Sequence, residues 1–167
     1  MTGRATPLFD VRAIGVDHLV DIDRIMARAF DPAFGEAWNK AQCLAALALP
    51  GYRLRGAFFD DGQSQKASAK LAGFAIQRTV AGESELLLLA VDPALRRYGI
   101  GRTLLRDWIN HSRSVGVVRA FLEMRSDNPA RHLYQQVGFT EIAVRKAYYR
   151  GGDGLFRDAV TMQYEID

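Results

Sequence analysis

The 167-residue chain holds a single cysteine, Cys43, so no disulfide can form within it. No apolar run approaches the roughly 18 residues that cross a bilayer. The stretch from Met1 to Asp10 has no basic segment followed by a long apolar one, so no secretory signal is expected and the reducing cytoplasm is the expected setting. Histidine is scarce: His18, His111 and His132 stand far apart without metal-ligand spacing, and no metal is expected. Two phosphate-binding signatures are also missing. There is no Gly-x-Gly-x-x-Gly and no Gly-Lys-Ser/Thr, which argues against a dinucleotide-binding Rossmann turn and a P-loop. No linker or low-complexity stretch divides the chain, and residues 1–167 read as one domain large enough for a real core.

Charge is present but uneven. Met1 to Leu95 contains 10 Lys/Arg and 11 Asp/Glu, whereas Arg96 to Arg157 contains 12 Lys/Arg and 5 Asp/Glu. A basic half beside a neutral half suits a polyanion, either nucleic acid or a phosphorylated cofactor, although an arginine-rich solvated surface would read the same way.

Periodicity supplies the elements. Leu8 to Ile14 reads as a strand, and Asp17 as the cap of a helix with Leu19, Val20, Ile22, Ile25, Met26 and Ala29 on one side. Asn39 starts a second helix with Cys43, Leu44 and Leu47 inward, ended by Pro50-Gly51. Tyr52 to Phe59 and Lys70 to Thr79 read as a hairpin around a polar turn from Asp60 to Ser68. The run Leu86-Leu87-Leu88-Leu89-Ala90-Val91 within Glu83 to Val91 suits a strand buried on both faces. A helix from Gly101 to Val115 follows, striped by Leu104, Leu105, Trp108, Ile109 and Ser112. Then come a strand (Val117 to Met124), a short helix (Pro129 to Val137) and strands Phe139 to Arg145 and Ala159 to Ile166. The order implies an α/β fold: a mixed, mostly antiparallel sheet of about seven strands with helices on both faces.

The turn Arg96-Arg97-Tyr98-Gly99-Ile100-Gly101 joins that apolar strand to a helix start. A helix N-terminus presents unpaired N–H groups and a partial positive charge to an anion, and glycine lets an anion come close. Two glycines alone also suit an ordinary tight connection. Their surroundings are more specific. Leu89-Ala90-Val91-Asp92-Pro93, then Arg96-Arg97, Gly99-Ile100-Gly101-Arg102 and Leu104-Leu105, resemble the acetyl-CoA-binding motif of the GNAT superfamily of N-acetyltransferases. Leu133-Tyr134-Gln135-Gln136-Val137-Gly138-Phe139 resembles that superfamily's second signature, in the right order and spacing.

The resemblance implies the GNAT fold and acetyl-CoA as co-substrate. It implies that main-chain groups of Leu89, Ala90 and Val91 pair with the pantetheine arm, and that Arg97, Tyr98, Gly99, Ile100, Gly101 and Arg102 wrap the pyrophosphate. Within the superfamily the chain is similar to the RimI-type ribosomal-protein alanine N-acetyltransferases, through Leu122-Glu123-Met124-Arg125, Arg145-Lys146-Ala147-Tyr148-Tyr149 and Arg157-Asp158-Ala159. That likeness implies Glu123 as general base, Tyr134 as general acid, and Tyr148, Tyr149 and Trp38 along the acceptor groove, with Glu36 on the same wall as Trp38. Two departures stand out. Gly35-Glu36-Ala37-Trp38 lacks the family's proline, and Asn128 lies six residues before Tyr134 where the family has seven. Asp127 or Asn128 can therefore fill the family's cofactor-contacting asparagine position; Asn128 keeps the spacing from Glu123.

The acceptor implied is a protein N-terminus, that of an alanine-starting ribosomal protein of the small subunit, with no direct nucleic acid and no membrane. An α-amine has a pKa of about 8 and a lysine about 10.4, so one carboxylate acting through water suffices more readily for the α-amine. A lysine side chain, a polyamine or an aminoglycoside is the alternative acceptor. A non-catalytic acetyl-CoA-binding module is a second alternative, against which Glu123 and Tyr134 both speak. A basic nucleic-acid binder ranks last, for want of a recognisable motif.

Overall fold

A computed structural model describes residues 9–59 and 69–167, so Leu8 and the turn from Asp60 to Ser68 lie outside the described residues. Seven strands form one sheet: β1 (Phe9–Ala13), β2 (Tyr52–Phe59), β3 (Lys70–Val80), β4 (Glu83–Val91), β5 (Arg119–Arg125), β6 (Thr140–Arg150) and β7 (Phe156–Glu165). Their spatial order is β1-β2-β3-β4-β5-β7-β6, with β4 and β5 the parallel pair and every other pair antiparallel. This is the fold class expected from the sequence.

Helices α1 (Leu19–Ala29) and α2 (Lys40–Ala48) cover one face, and α3 (Ile100–Ser114) and α4 (Arg131–Val137) the other. The crossover from β4 through α3 to β5 is what makes that pair parallel. Beneath α3 lie Leu104, Leu105, Trp108, Ile109 and Ser112, all buried as the stripe predicts. The Trp108 indole stacks on Phe139 with centroids 5.7 Å apart, and its N–H donates to Ser84 Oγ at 2.8 Å. On the other face Ile22, Ile25 and Met26 of α1 and Cys43 and Ala46 of α2 pack over β2, β3 and β4.

Several local expectations shift. Asp17 does not cap α1: it sits inside a 3-10 turn, Val16–His18, and the helix starts two residues later at Leu19. Val20 and Leu44 point to solvent, because each lies off the arc that its short helix turns to the sheet. Asn39 does cap α2, accepting from the Gln42 N–H at 3.0 Å while Gln42 returns the bond to the Asn39 N–H. Strand β6 runs on to Arg150, so Tyr148 and Tyr149 lie within it rather than after it. Strand β7 begins earlier than expected, at Phe156.

One irregularity shapes the centre of the sheet. Ile76 pairs with Leu88 and Gln77 with Leu86, so Leu87 is an extra residue with no partner on β3. The inserted residue reverses the parity of the strand. Leu86 faces the α3 side, Leu87 and Leu88 both face the α1/α2 side, and Leu89 and Val91 return to the α3/α4 side. Strand β4 is consequently not buried evenly on both faces; fully buried residues alternate with half-buried ones. Pairing between β4 and β5 covers Glu83–Leu86 against Arg119–Leu122 and stops there. Beyond Leu122, β5 is held by β7 alone, through Glu123, Met124 and Arg125. The two parallel strands therefore part halfway along, and a slot opens between the second half of β4 and the second half of β5.

Candidate active site

The slot's walls follow from this splay. Main-chain groups on the β5-facing edge of Leu88–Val91 have no strand partner, and a main-chain N–H or C=O seeks one wherever it is shielded from water. Leu89, Ala90 and Val91 are thus placed to pair with an extended amide-bearing arm. At the end of β4, Asp92 is buried and turns the chain. Its carboxylate accepts from the Ala94 N–H at 3.0 Å and holds Arg24 and Arg28 of α1 at 3.1 and 2.9 Å, fixing the strand end to the opposite layer.

The turn then presents the start of α3. Gly99 is the cap residue with φ +85°, a conformation that costs glycine little, and no side chain caps the helix. Arg97 also adopts positive φ, 71°, the kind of local strain that gathers at ligand sites. A Cβ on Gly101 would come 2.9 Å from Leu133 Cδ2, so α3 and α4 approach closely only because glycine stands there. The first N–H groups of α3, at Ile100, Gly101 and Arg102, have no intrahelical acceptor. Open space at Gly99, free amides and the Arg97 and Arg102 side chains suit a pyrophosphate. Tyr98 is half exposed beside it, and Arg102 is steadied by Gln136 Oε1 at 2.8 Å.

Where the strands part, Glu123 stands on β5, paired across the sheet with Thr161 of β7, which itself faces Ala143 of β6. Leu122 and Met124 point into the α3/α4 core, so Glu123 and Arg125 point to the opposite face, beyond the area that α1 and α2 cover. The Glu123 carboxylate is ion-paired with Arg145, and Tyr149 donates its hydroxyl to Oε1 at 3.3 Å. The Thr161 hydroxyl lies 3.5 Å from Oε2. Arg145 also lies over the Tyr148 ring at 3.7 Å, and Tyr148 meets Tyr149 edge-on at 5.2 Å. Tyr148 is the exposed member of the pair.

Tyr134 projects from α4 and is buried, its ring edge-on to Phe139 at 6.2 Å. Burial first, and then the negative charge of Glu36, push its phenol well above the usual tyrosine range. Burial, followed by the charge and hydrogen bond of Glu123, pushes the Tyr149 phenol up to about 12. Both shifts are upward, so the folded state keeps protons that the unfolded chain releases near pH 10. This contribution to stability is intact below about pH 10 and is lost as pH rises through the folded values. Of the six tyrosines, no more than four should ionise below about pH 11 in the folded protein, read by near-ultraviolet difference absorbance, and all six after unfolding. A fifth phenol ionising in that range in the native protein would contradict the placement of this pair.

Sequence reasoning missed an ionic lattice beside the site, centred on one buried arginine. Arg125 is buried, donates to Glu36 Oε2 at 2.7 Å and to Asp127 Oδ1 at 2.8 Å, and packs its guanidinium over Phe34 at 3.5 Å. Arg157 flanks Phe34 at 4.7 Å and holds Asp127 and Asp153 at 3.0 and 2.6 Å. The lattice anchors the connection between α1 and α2 over the strand ends and brings Glu36 to the site. Burial raises the Glu36 pKa above its ordinary value, with Arg125 opposing. One signal was legible: Arg125 is two residues beyond Glu123 and so shares its face. Trp38, two residues after Glu36, goes elsewhere and packs against the α1/α2 core near Cys43. Asp127 is committed to two arginines, whereas Asn128 Oδ1 accepts from the Ala130 N–H at 2.9 Å in the turn just before α4.

A splayed parallel pair, an open helix start and a carboxylate at the split form a layout suited to an acyl-transfer enzyme that takes a long phosphorylated thioester. The Acetyltransferase (GNAT) domain family matches residues 60–141. The [Ribosomal protein bS18]-alanine N-acetyltransferase of Escherichia coli is 40% identical over 100 residues, which is 59% of this chain and 67% of that protein. The N-alpha-acetyltransferase RimI of Mycobacterium tuberculosis is 36% identical over 133 residues, 77% of this chain and 75% of that protein. The crystal structure of the E. coli ribosomal-protein-S18-alanine N-acetyltransferase superposes with a TM-score of 0.80 at 30% identity, covering 96% of this chain and 95% of that one. The chain belongs to the GNAT family of acetyltransferases, whose co-substrate is acetyl-CoA.

Proposed function

We propose that the protein acetylates the N-terminal α-amine of an alanine-starting ribosomal protein of the small subunit, in the cytoplasm. The likeness to RimI enzymes over most of the chain supports the acceptor class. The observation that carries the chemistry is the Glu123 carboxylate at the split of β4 and β5, held by Tyr149, Thr161 and Arg145. In this reading Leu89, Ala90 and Val91 align the thioester arm, the turn from Arg97 to Arg102 holds the pyrophosphate, and Asn128 contacts the arm at the far end of β5.

An acceptor ammonium offers Glu123 the same charge that Arg145 supplies at rest. Glu123, directly or through water, removes one proton, and the neutral nitrogen attacks the thioester carbonyl. The C–N bond forms and the C–S bond breaks. Tyr134 gives its hydroxyl hydrogen to the departing sulfur, and the proton shed by the acylated nitrogen restores the phenol. Tyr148 and Tyr149 line the acceptor's path, with Glu36 opposite. Trp38 supports that wall from behind through its packing on α1 and α2.

The test is acetyl transfer to a panel: an alanine-starting peptide, an Nα-blocked lysine peptide, spermidine and an aminoglycoside. Turnover is expected on the free α-amine alone. Equal rates on the blocked lysine peptide would overturn the reading.

A further inference from the structure

The arginines of this protein fall into two groups. Arg12, Arg53, Arg96, Arg97 and Arg150 pair with no carboxylate side chain among the described residues, while nine arginines, on α1, β2, β3, β5, α4, β6 and β7, do. Among the described residues none of the three on α3 does. Arg102 donates to the Gln136 amide oxygen, Arg113 to the Asn110 amide oxygen and the Asp167 main-chain oxygen, and Arg106 has no acidic neighbour in pairing range. The carboxylate on α3 itself, Asp107, is turned away to β2, where it holds Arg55 by two bonds of 2.8 Å.

Positions 102, 106, 110 and 113 follow helical spacing, so Arg102, Arg106, Asn110 and Arg113 form one row, and all four are exposed. They make one wall of a groove of about 250 Å³, with Gln136 of α4 and Tyr164 of β7 opposite. Uncompensated guanidinium groups repeated along a groove match a ligand whose own charges repeat. Arginine binds phosphate through paired donors, and a guanidinium held by amide and main-chain oxygens can exchange those bonds for charge-assisted ones to phosphate.

The row is too long for the co-substrate alone. From Arg102 to Arg113 it extends about 16 Å along the helix, at roughly 1.5 Å per residue. The phosphates of one CoA are carried by a single nucleotide, and with the pyrophosphate at the helix start, as proposed, that nucleotide does not reach Arg113 at the far end of the row. An acidic peptide would want an apolar anchor pocket, and the groove offers only the flanks of Ile109 and Val137. It does offer Tyr164, partly exposed and backed by Phe139 at 5.4 Å, an aromatic face on which a base can stack.

We infer that this α3 groove binds single-stranded RNA through its phosphates. The choice of RNA rests on the proposed ribosomal-protein acceptor, which is made and assembled beside RNA. The groove reads no sequence, so the absence of a nucleic-acid motif in the chain is no obstacle: phosphate contacts position a strand without specifying it.

The experiment is fluorescence anisotropy with a labelled 12-nucleotide RNA and the full chain, in saturating CoA so that the helix start is filled. RNA binding is expected to persist with CoA present. It should weaken with added KCl along a log–log slope of about −1.4, as the two phosphate contacts left to Arg106 and Arg113 on a single strand imply. Replacing Arg106 and Arg113 together by Gln should cost at least tenfold in RNA affinity. It should leave acetylation of a free alanine-starting peptide unchanged, which also shows that the variant folds. Loss of RNA binding on CoA addition, wild-type binding by the double variant, tighter binding of the matching DNA oligonucleotide, or equal binding of a poly-glutamate peptide would each overturn the inference. None of these outcomes bears on the acceptor panel, so the two readings fail separately.

Discussion

Replacing Glu123 with Gln should lower kcat for an alanine-starting peptide by about 100- to 1,000-fold, the range a positioned general base supplies. The substitution keeps the side chain's shape. A neutral amide can still accept from Tyr149 through its oxygen and donate to the Thr161 hydroxyl through its nitrogen, so the groove should stay in place while the proton acceptor is lost. The affinity for acetyl-CoA, measured by calorimetry, should not move, because Glu123 stands on β5 whereas the amides and arginines that suit the cofactor come from β4 and the start of α3. Tyr134→Phe is the companion variant. It retains the ring that packs on Phe139 and removes only a hydroxyl that makes no hydrogen bond to another described residue. A fall in kcat of about 100-fold with unaltered acetyl-CoA affinity is expected. If kcat survives either substitution, that residue leaves the mechanism.

The second large effect is on stability. Trp108→Ala should cost about 3–5 kcal/mol, since the indole is fully buried and a truncation there leaves a cavity that the sheet cannot collapse into. The loss also orphans Ser84 Oγ from its indole donor at 2.8 Å and removes the stacked face of Phe139. A domain of this size commonly has only about 5–15 kcal/mol in hand, so the variant should be near unfolding at moderate temperature. Urea denaturation of the two proteins provides the measurement, and a difference under about 1 kcal/mol would contradict the packing described for α3.

Much of this architecture was legible in the sequence, and the reasons are local. The α3 stripe from Leu104 to Ser112 has the helix period, and Gly116 and Gly138 end their helices at positive φ. Asn39 and Gln42 announce a capped helix through their spacing alone. The two signatures locate the turn at Gly99 and the phenol at Tyr134 because both belong to continuous segments. What escaped depends on distant pieces meeting. Glu36 and Arg125 are 89 positions apart, and nothing in either neighbourhood points to the other. Trp38 and Glu36 are near neighbours in sequence yet face different sides, because the chain between the 3-10 turn Pro32–Phe34 and α2 is irregular and has no period to read. The extra residue at Leu87 is invisible for another reason: in a run of four leucines, neither period nor composition marks which one is unpaired.

That leucine has a consequence for how the slot tolerates change. A cleft lined by side chains can be altered by substitution, but this one is created by counting. With one residue more on β4 than on β3 opposite it, the strand arrives half a pleat out of phase and cannot zip to β5 past Leu122. Swapping Leu87 for another residue leaves the count intact. Deleting it would restore the phase, draw the strands together and fill with main-chain hydrogen bonds the space where the thioester arm is proposed to lie. The site is therefore encoded in the length of a segment more than in its letters.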